Sequence, residues 1–255
     1  MTSREQNVRQ AGRDGHDRCD VRDRHDLTVT LPWMREGTAR LLAAADRLAD
    51  DDLGAPTALP GWTRAHVVGH LARNAEALGR LVAWARTGVV TPMYADREQR
   101  AAEIESSAAL GPDVLRMQLK STAADLDVAL AALDATAWRA EVKSALGRTI
   151  PAAEIPWMRV REVWLHAVDL AAGVTFADLP ADLVDTLLDD VTTALSTRPG
   201  CPAVRLTPTD RATTWHLGPA TPEPPARAEG PAAELLAWAT GRTTRPGLVA
   251  LPSWL

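Results

Sequence analysis

Three side chains in two separate segments have the types and spacing of a metal site. Glu162 and His166 are four residues apart in a segment of helical periodicity, so they lie one turn apart on the same face. His70 lies in an earlier helical segment, beside an apolar stripe. Two imidazoles and one carboxylate bind a divalent cation and leave a coordination position open for water or substrate. The pattern therefore predicts an open metal site of the catalytic kind.

The same residues also have ordinary explanations. A histidine beside an apolar stripe is more often a core residue whose ring is satisfied by a neighbouring carbonyl group. Glu162 and Arg159 could belong to a solvated helix face. The second explanation is disfavoured because apolar side chains occupy most of the rest of this helix, so its narrow polar stripe faces inward. A buried Glu162 anion needs a partner, and a cation shared with His70 and His166 supplies one.

Three further residues lie close to these positions in the sequence. Asn74 follows His70 by one helical turn, and Asp169 follows His166 by three residues, so both extend the polar stripes. Asp169 could instead be a helix-surface carboxylate. Trp62 directly precedes the helix that carries His70 and could line the mouth of a pocket. The other tryptophans that adjoin apolar helix positions are expected to be mainly core residues.

Hydrophobic periodicity predicts the elements that position these side chains. Apolar residues recur every three or four positions in four long segments, which are 30–48, 64–87, 113–133 and 156–172. Thr63 is a suitable N-cap for the second helix and Gly88 ends it, whereas Pro156 suits the first turn of the fourth. Because no β-rich run separates these helices, we predict a mainly α fold with an antiparallel four-helix bundle.

The sequence is divided into a charged extension and two folded domains. Residues 1–26 contain six arginines and six acidic residues but almost no large apolar side chains, which predicts a disordered extension. Residues 27–176 contain the bundle. Residues 177–255 contain an amphipathic helix, two short β-like runs, a proline-rich loop and a further helix, which predict a small α+β domain. His16, Cys19 and His25 fit the spacing of no zinc module.

Composition excludes several classes of function. The formal net charge of −5 disfavours a nucleic-acid or anionic-membrane partner. No apolar run reaches the roughly 18 residues of a spanning helix, and the charged N-terminus lacks the apolar segment of a secretory signal. We therefore expect a cytoplasmic protein, and a monomer with a weak dimer as the alternative. Cys19 and Cys201 are far apart without CxxC spacing, so neither a disulfide framework nor a thiolate metal site is expected.

Several stretches of the sequence resemble those of the mycothiol-dependent maleylpyruvate isomerases. These stretches are LPGWTRAHVVGHLARNAEAL, TPMYADREQR, IPWMRVREVWLHAVDLAAGV, FADLP and LLAWATGR. The resemblance covers residues 31–255 and implies a DinB-like four-helix bundle that binds a divalent metal, usually zinc, followed by a small α+β domain. It also implies isomerisation of maleylpyruvate to fumarylpyruvate in gentisate degradation, with mycothiol as the thiol cofactor. The charged extension is not part of the family pattern.

The resemblance assigns the family's functional residues to positions in this sequence. Its metal ligands fall on the three residues already identified from periodicity and burial: His70, Glu162 and His166. Its aspartate falls on Asp169, which is expected to orient a ligand histidine or a substrate group. Its arginines fall on Arg100, with Arg97 nearby, and on Arg242, and guanidinium groups suit substrate or cofactor carboxylates.

Two sets of residues beyond the metal ligands follow from these assignments. We expect catalytic roles for Arg100, Asp169 and Arg242. We expect the residues that bind mycothiol to be Arg97, Arg100, Trp62 and Asn74. Surface solvation is the ordinary alternative for the arginines.

The resemblance also implies a mechanism, and two other functions are considered beside it. Addition of a thiol converts the cis double bond into a single bond that can rotate, and elimination restores the double bond as trans. Neither cysteine is placed to supply this thiol, so mycothiol supplies it. A bound metal stabilises the thiolate, which we favour, or polarises a substrate carbonyl. The alternatives are a mycothiol S-transferase that conjugates an electrophile and a non-catalytic binding module on the same bundle.

Overall fold

The computed structural model describes residues 24–220, 225–248 and 250–254 and confirms a mainly helical fold with a small strand-containing C-terminal region. The helices are α1 (Leu27–Arg47), α2 (Arg64–Thr87), α3 (Arg97–Ala108), α4 (Pro112–Ala131), α5 (Ala135–Arg139), α6 (Ile155–Asp169), α7 (Ala181–Ser196) and α8 (Ala232–Ala239). The strands are β1 (Glu141–Lys143), β2 (Thr149–Pro151), β3 (Val204–Pro208), β4 (Trp215–Leu217) and β5 (Ala226–Gly230). No helix in these described ranges is long and apolar enough to cross a lipid bilayer.

The bundle consists of the four long helices that periodicity predicts. Helix α2 packs against α4 and α6, and α1 packs against α6, whereas α1 and α4 contact each other less. Helix α2 has the predicted limits because the Thr63 side chain accepts a hydrogen bond from the His66 N–H in a capping box, and Gly88 ends the helix at φ 73°. Helix α1 begins three residues earlier than predicted because Asp26 caps it through the N–H of Thr28.

The short elements between α4 and α6 were not predicted. Strands β1 and β2 form an antiparallel hairpin, and α5 precedes it. Each strand has three residues and a single buried side chain, Val142 or Ile150, which is too little for a recognisable alternation of apolar and polar residues.

The C-terminal region forms a three-stranded sheet in the order β4-β3-β5, with α7 and α8 packed beside it. Strand β3 pairs antiparallel with β4 and parallel with β5. The two predicted β-like runs correspond to β3 and β4. The prediction was wrong for β5, which lies in the segment assigned to the proline-rich loop. Only Ala228 of this strand is buried, so its sequence lacks the apolar pattern of a strand and its pairing with β3 defines it.

The first described residues extend the folded part by three positions into the predicted extension. Arg24 donates a hydrogen bond from Nη1 to Asp190 Oδ1 at 2.6 Å, and His25 Nε2 lies 3.3 Å from Glu154 Oε2. Asp26 is the N-cap of α1. Arg24, His25 and Asp26 therefore belong to the fold, whereas residues 1–23, with His16 and Cys19, lie outside the described residues.

A glycine allows α1 to approach α6 closely. A Cβ atom on Gly37 would lie 2.6 Å from Trp164 Nε1 and 2.7 Å from Val163 Cγ2. Trp164 is fully buried, and its Nε1 donates to the Trp33 carbonyl oxygen at 2.9 Å, so its ring has no free space to move into. Helix α6 carries Glu162 and His166, so this close contact supports the helix that holds two predicted metal ligands.

We expect Gly37→Ala to lower the free energy of unfolding by about 1–3 kcal/mol because the added methyl group overpacks the α1–α6 contact. Urea unfolding of the purified variant measures this loss. Gly79→Ala is the matched control, because a Cβ at this α2 glycine would meet nothing within 4 Å. It should stabilise the protein by about 0.5–1 kcal/mol through helix propensity. Equal effects of the two substitutions would contradict the packing argument.

Candidate metal centre

The three predicted ligands meet between α2 and α6. His70 Nε2 lies 2.9 Å from Glu162 Oε2, and His166 Nε2 lies 3.3 Å from the same oxygen. One ligand atom of each residue lies within 4.8 Å of the other two. Periodicity had predicted this convergence for residues that are 92 positions apart along the chain.

The surroundings of the three ligands fit a divalent cation. The side chains of His70 and His166 are only 3% and 9% exposed, whereas Glu162 is 20% exposed and leaves one side of the group accessible. His70 Nδ1 is buried and has no hydrogen-bond partner in the described part of the chain. Two nitrogen donors and one carboxylate oxygen form a donor set that suits zinc and related divalent ions.

The charges within the cluster favour ligation. Burial would raise the pKa of Glu162, but hydrogen bonds and charges from His166 and His70 hold it well below its usual range. Burial lowers the pKa of His70 despite the opposing effect of Glu162. Burial also acts to lower the pKa of His166, but Asp169 and Glu162 outweigh it and raise that pKa. A cation would therefore compete with the proton that the two carboxylates favour on His166, whereas the shifts of Glu162 and His70 favour their ligating forms.

Asp169 connects His166 to the C-terminal domain. Its Oδ2 lies 2.8 Å from His166 Nδ1, so the ring nitrogen facing away from Glu162 is fixed. Arg242 donates from Nε to Asp169 Oδ1 at 3.1 Å and from Nη2 to Oδ2 at 2.9 Å. Burial would raise the pKa of Asp169, but hydrogen bonds from His166 and Arg242 lower it, so this carboxylate is charged at neutral pH. Asp169 and Arg242, two predicted site residues, are thus linked by hydrogen bonds to His166, a proposed metal ligand.

Trp62 lies beside both histidine ligands. Its ring centroid is 5.2 Å from that of His70 and 6.3 Å from that of His166, and the second pair is stacked. Trp62 is half-buried, so the indole covers part of the cluster and also faces the outside. This position agrees with a residue at the mouth of a pocket.

Asn74 has a partner that the sequence did not indicate. Its Oδ1 accepts a hydrogen bond from Arg159 Nη1 at 2.7 Å, and the same nitrogen donates to the Leu71 carbonyl oxygen at 2.8 Å. Arg159 is 1% exposed, so it does not belong to a solvated helix face. The role of Asn74 in binding mycothiol stays a prediction.

The two arginines of the REQR segment differ in their surroundings. Arg97 is exposed at the start of α3, whereas Arg100 is half-buried. Arg100 is close enough to His70 that its positive charge adds to the effect of burial and further lowers the pKa of that histidine. No hydrogen bond or ion pair occupies its guanidinium group within the described ranges. Arg100 is therefore near the cluster, and its guanidinium group is available to a bound ligand. Arg97 is exposed, and no described contact connects it to the cluster.

Tyr94 is a candidate that sequence reasoning missed. Its hydroxyl group is buried and has no hydrogen-bond partner among the described residues. Burial raises its pKa, and both Arg100 and Glu162 are close enough to influence that pKa. The available signal was its position in the stretch TPMYADREQR, where it is the single tyrosine of the chain.

Comparisons with known proteins find similar sequences and structures over most of the chain. The family model described as the mycothiol maleylpyruvate isomerase N-terminal domain matches residues 34–171, and the model of the corresponding C-terminal domain matches residues 178–252. A crystal structure of the mycothiol-dependent maleylpyruvate isomerase is similar at 35% sequence identity and a TM-score of 0.84, over 89% of this chain and 97% of that one. A histidine-to-alanine mutant of that isomerase has a TM-score of 0.83 at the same identity and coverage. The curated proteins gave no significant match.

Proposed function

Because the chain belongs to the mycothiol-dependent maleylpyruvate isomerase family, we propose that it isomerises maleylpyruvate to fumarylpyruvate with mycothiol as cofactor. The observation that carries this proposal is the convergence of His70, Glu162 and His166 within 4.8 Å of one another. The interactions around these residues, from Trp62 to Asp169, support it further.

We infer that His70, Glu162 and His166 hold a zinc ion. A cation held there would lower the pKa of the mycothiol thiol; addition of the thiolate to the cis double bond would leave a single carbon–carbon bond that can rotate, and loss of the same thiolate would restore the double bond as trans. Glu162 balances part of the cation's charge, and the neutral imidazole of His70 donates through nitrogen. Metal analysis of the purified protein tests the identity of the ion.

The chain itself supplies no suitable nucleophile in its described part. Cys201 is free and buried in the C-terminal domain, and burial raises the pKa of its thiol. A buried thiol with a raised pKa carries little thiolate at neutral pH. The described residues therefore offer no thiol for this role, which supports the proposal that mycothiol supplies it.

Asp169 and Arg242 act as positioning residues in this proposal. Asp169 fixes the tautomer and the ring orientation of His166 through Nδ1. Arg242 holds Asp169 with two nitrogens and donates from Nη1 to the Thr240 carbonyl oxygen at 2.8 Å. Its contacts support a role through Asp169 in place of the expected direct contact with a substrate carboxylate.

The decay of maleylpyruvate absorbance tests the proposed activity. We expect turnover only when both metal and mycothiol are present, and loss of turnover after chelation with recovery on addition of zinc. Turnover without mycothiol would contradict the proposal. Conjugation of other electrophiles without isomerisation would indicate a mycothiol S-transferase, and a protein that retains no metal would indicate a binding module. Gel filtration of the same sample tests the expected monomer.

Arg100 is expected to bind a carboxylate of the substrate or of mycothiol. Arg100→Ala should raise KM by about 10–100-fold, because a charged hydrogen bond is worth roughly 1.5–3 kcal/mol. Steady-state kinetics with each ligand varied separately identifies which one Arg100 binds. Arg97→Ala is the matched control on the same helix and should change neither KM, because Arg97 is exposed. An equal effect of both substitutions would indicate general electrostatic attraction.

A further inference from the structure

A cleft of about 310 Å³ opens between α1 and α4, outside the metal centre. It is present because these two helices contact each other less than the other neighbouring helices of the bundle do. Most of its lining is apolar and comes from both helices, with Met34 and Leu42 on α1 and Leu126 on α4. A cleft of this size is at the lower limit of the cavities that bind small molecules, roughly 300–1,000 Å³.

The cleft is also lined by a buried cation. Arg159 is 1% exposed, and its Nη1 donates to the Leu71 carbonyl oxygen and to Asn74 Oδ1. Its Nη2 is buried without a hydrogen-bond partner, and no carboxylate in the described ranges lies within ion-pair distance of this guanidinium group. Both of its hydrogen-bond partners are neutral, and the Glu162 carboxylate offsets the positive charge only in part, from beyond ion-pair distance.

The burial of this charge without an ion-pair partner is costly. Burial lowers the pKa of Arg159 to about 10 despite the opposing effects of Glu162 and Tyr94, so the group remains protonated at neutral pH. A buried charge that lacks an ion-pair partner destabilises the folded protein, and an anion at hydrogen-bond distance would reduce that cost. The cleft is the apolar space next to this charge, so an anion that also has an apolar part would satisfy both features.

The rim of the cleft is positively charged, as is Arg159. Lys120 lines the cleft and is exposed at its edge. Arg35 donates from Nε to Asp127 Oδ1 at 2.8 Å, which joins α1 to α4 across the cleft and neutralises that pair of side chains. Lys120 therefore leaves the rim with a net positive charge that would attract an anion.

From these contacts we propose that the cleft binds an amphipathic monocarboxylate. The carboxylate accepts a hydrogen bond from Arg159 Nη2, and the apolar part lies between the aliphatic side chains of α1 and α4. A monocarboxylate fits better than a multiply charged phosphate because Arg159 offers one unpartnered nitrogen and the remaining lining is mostly apolar. The proposal does not depend on the isomerase reaction, although Arg159 also donates to Asn74 and lies close enough to Glu162 for their charges to interact.

Calorimetric titration of the zinc-loaded protein with octanoate tests the proposal. Octanamide has the same tail without the charge, and acetate has the charge without the tail. We expect octanoate to bind at least about tenfold more tightly than either, because both the charged hydrogen bond and the apolar contact contribute. Equal affinity for octanoate and octanamide, or no binding of octanoate at millimolar concentration, would overturn the proposal.

A variant that fills the cleft locates the bound octanoate. Ala124 lines the cleft and is exposed, so Ala124→Phe adds bulk there without disturbing the core. It should weaken octanoate binding at least about tenfold, because the tail loses its apolar contacts. Val128→Phe, at a 70% exposed position of the same helix outside the cleft, should leave binding unchanged. Undiminished binding to Ala124→Phe would place the carboxylate elsewhere, for example at the metal, and would overturn the proposal.

Arg159→Gln tests the charge directly. Glutamine keeps a polar amide but is shorter and carries no charge, so the preference for octanoate over octanamide should disappear. Circular dichroism verifies that this variant folds. If it does not fold, the comparison of octanoate binding to Ala124→Phe and Val128→Phe tests the proposal instead. Retention of the preference in folded Arg159→Gln would show that Arg159 is not the group that binds the carboxylate.

Discussion

His70→Ala is expected to lose the bound metal and to lower kcat/KM for maleylpyruvate by about a thousandfold. The substitution removes one of the three proposed ligands found among the described residues, and the other two come from a single helix. Without this imidazole, the 2.9 Å contact between His70 Nε2 on α2 and Glu162 Oε2 on α6 is lost. Metal content by mass spectrometry and the mycothiol-dependent rate are the two measurements.

His216→Ala is the control for this loss. His216 is an exposed histidine of β4, and its replacement should change neither metal content nor rate. Urea unfolding of both variants distinguishes loss of the metal from loss of the fold. A His70→Ala protein that keeps one equivalent of zinc and its full rate would contradict the assignment of this ligand.

Asp169→Asn is expected to have the second-largest effect, on both activity and stability. The amide no longer orients His166 as a carboxylate does, which typically costs about 10–100-fold in metal affinity or activity. It also leaves the 10% exposed side chain of Arg242 without its anion. Breaking a buried ion pair in this way lowers the free energy of unfolding by about 3 kcal/mol.

The pH dependence of this stability has a definite sign. The pKa of Asp169 is lower in the folded protein than its ordinary value of 3.8. The carboxylate therefore stabilises the fold above pH 3.8, and this contribution is lost as the pH falls through the folded pKa. Wild type and Asp169→Asn should differ most at neutral pH and converge in acid.

A double-mutant cycle with Arg242→Ala identifies the partner. If Arg242 acts through Asp169, the double variant should be little worse than Asp169→Asn alone, both in zinc affinity and in unfolding free energy. Asp125→Asn, at an exposed position of α4, should have no effect on either quantity. Strict additivity of Asp169→Asn and Arg242→Ala would contradict their coupling.

The convergence of His70, Glu162 and His166 could be predicted from the sequence because the signals are local. The spacing of Glu162 and His166 defines a helix face, and the cap and apolar stripe of α2 position His70. Helical structure is determined largely by neighbouring residues, so the limits of α2 were also predicted correctly.

The remaining interactions depend on packing between distant segments. Arg159 resembles a surface residue in sequence, and only the Leu71 carbonyl oxygen and Asn74 on another helix permit its burial. Strand β5 has almost no apolar pattern and is defined by its pairing with β3. The bond from Arg242 to Asp169 depends on the arrangement of two domains, for which the sequence alone offers no local signal.

The ion pair between Asp169 and Arg242 has a consequence for how the protein matures during synthesis. A nascent chain that has left the ribosome as far as Asp169 already contains all three ligands, but Arg242 follows 73 residues later. Asp169 therefore acquires its arginine partner only after the segment that carries Arg242 has been synthesised. Full ordering of the proposed metal site is accordingly a late event in biogenesis, and fragments that terminate between Asp169 and Arg242 contain the proposed ligands and Asp169 without the arginine that holds Asp169 in place.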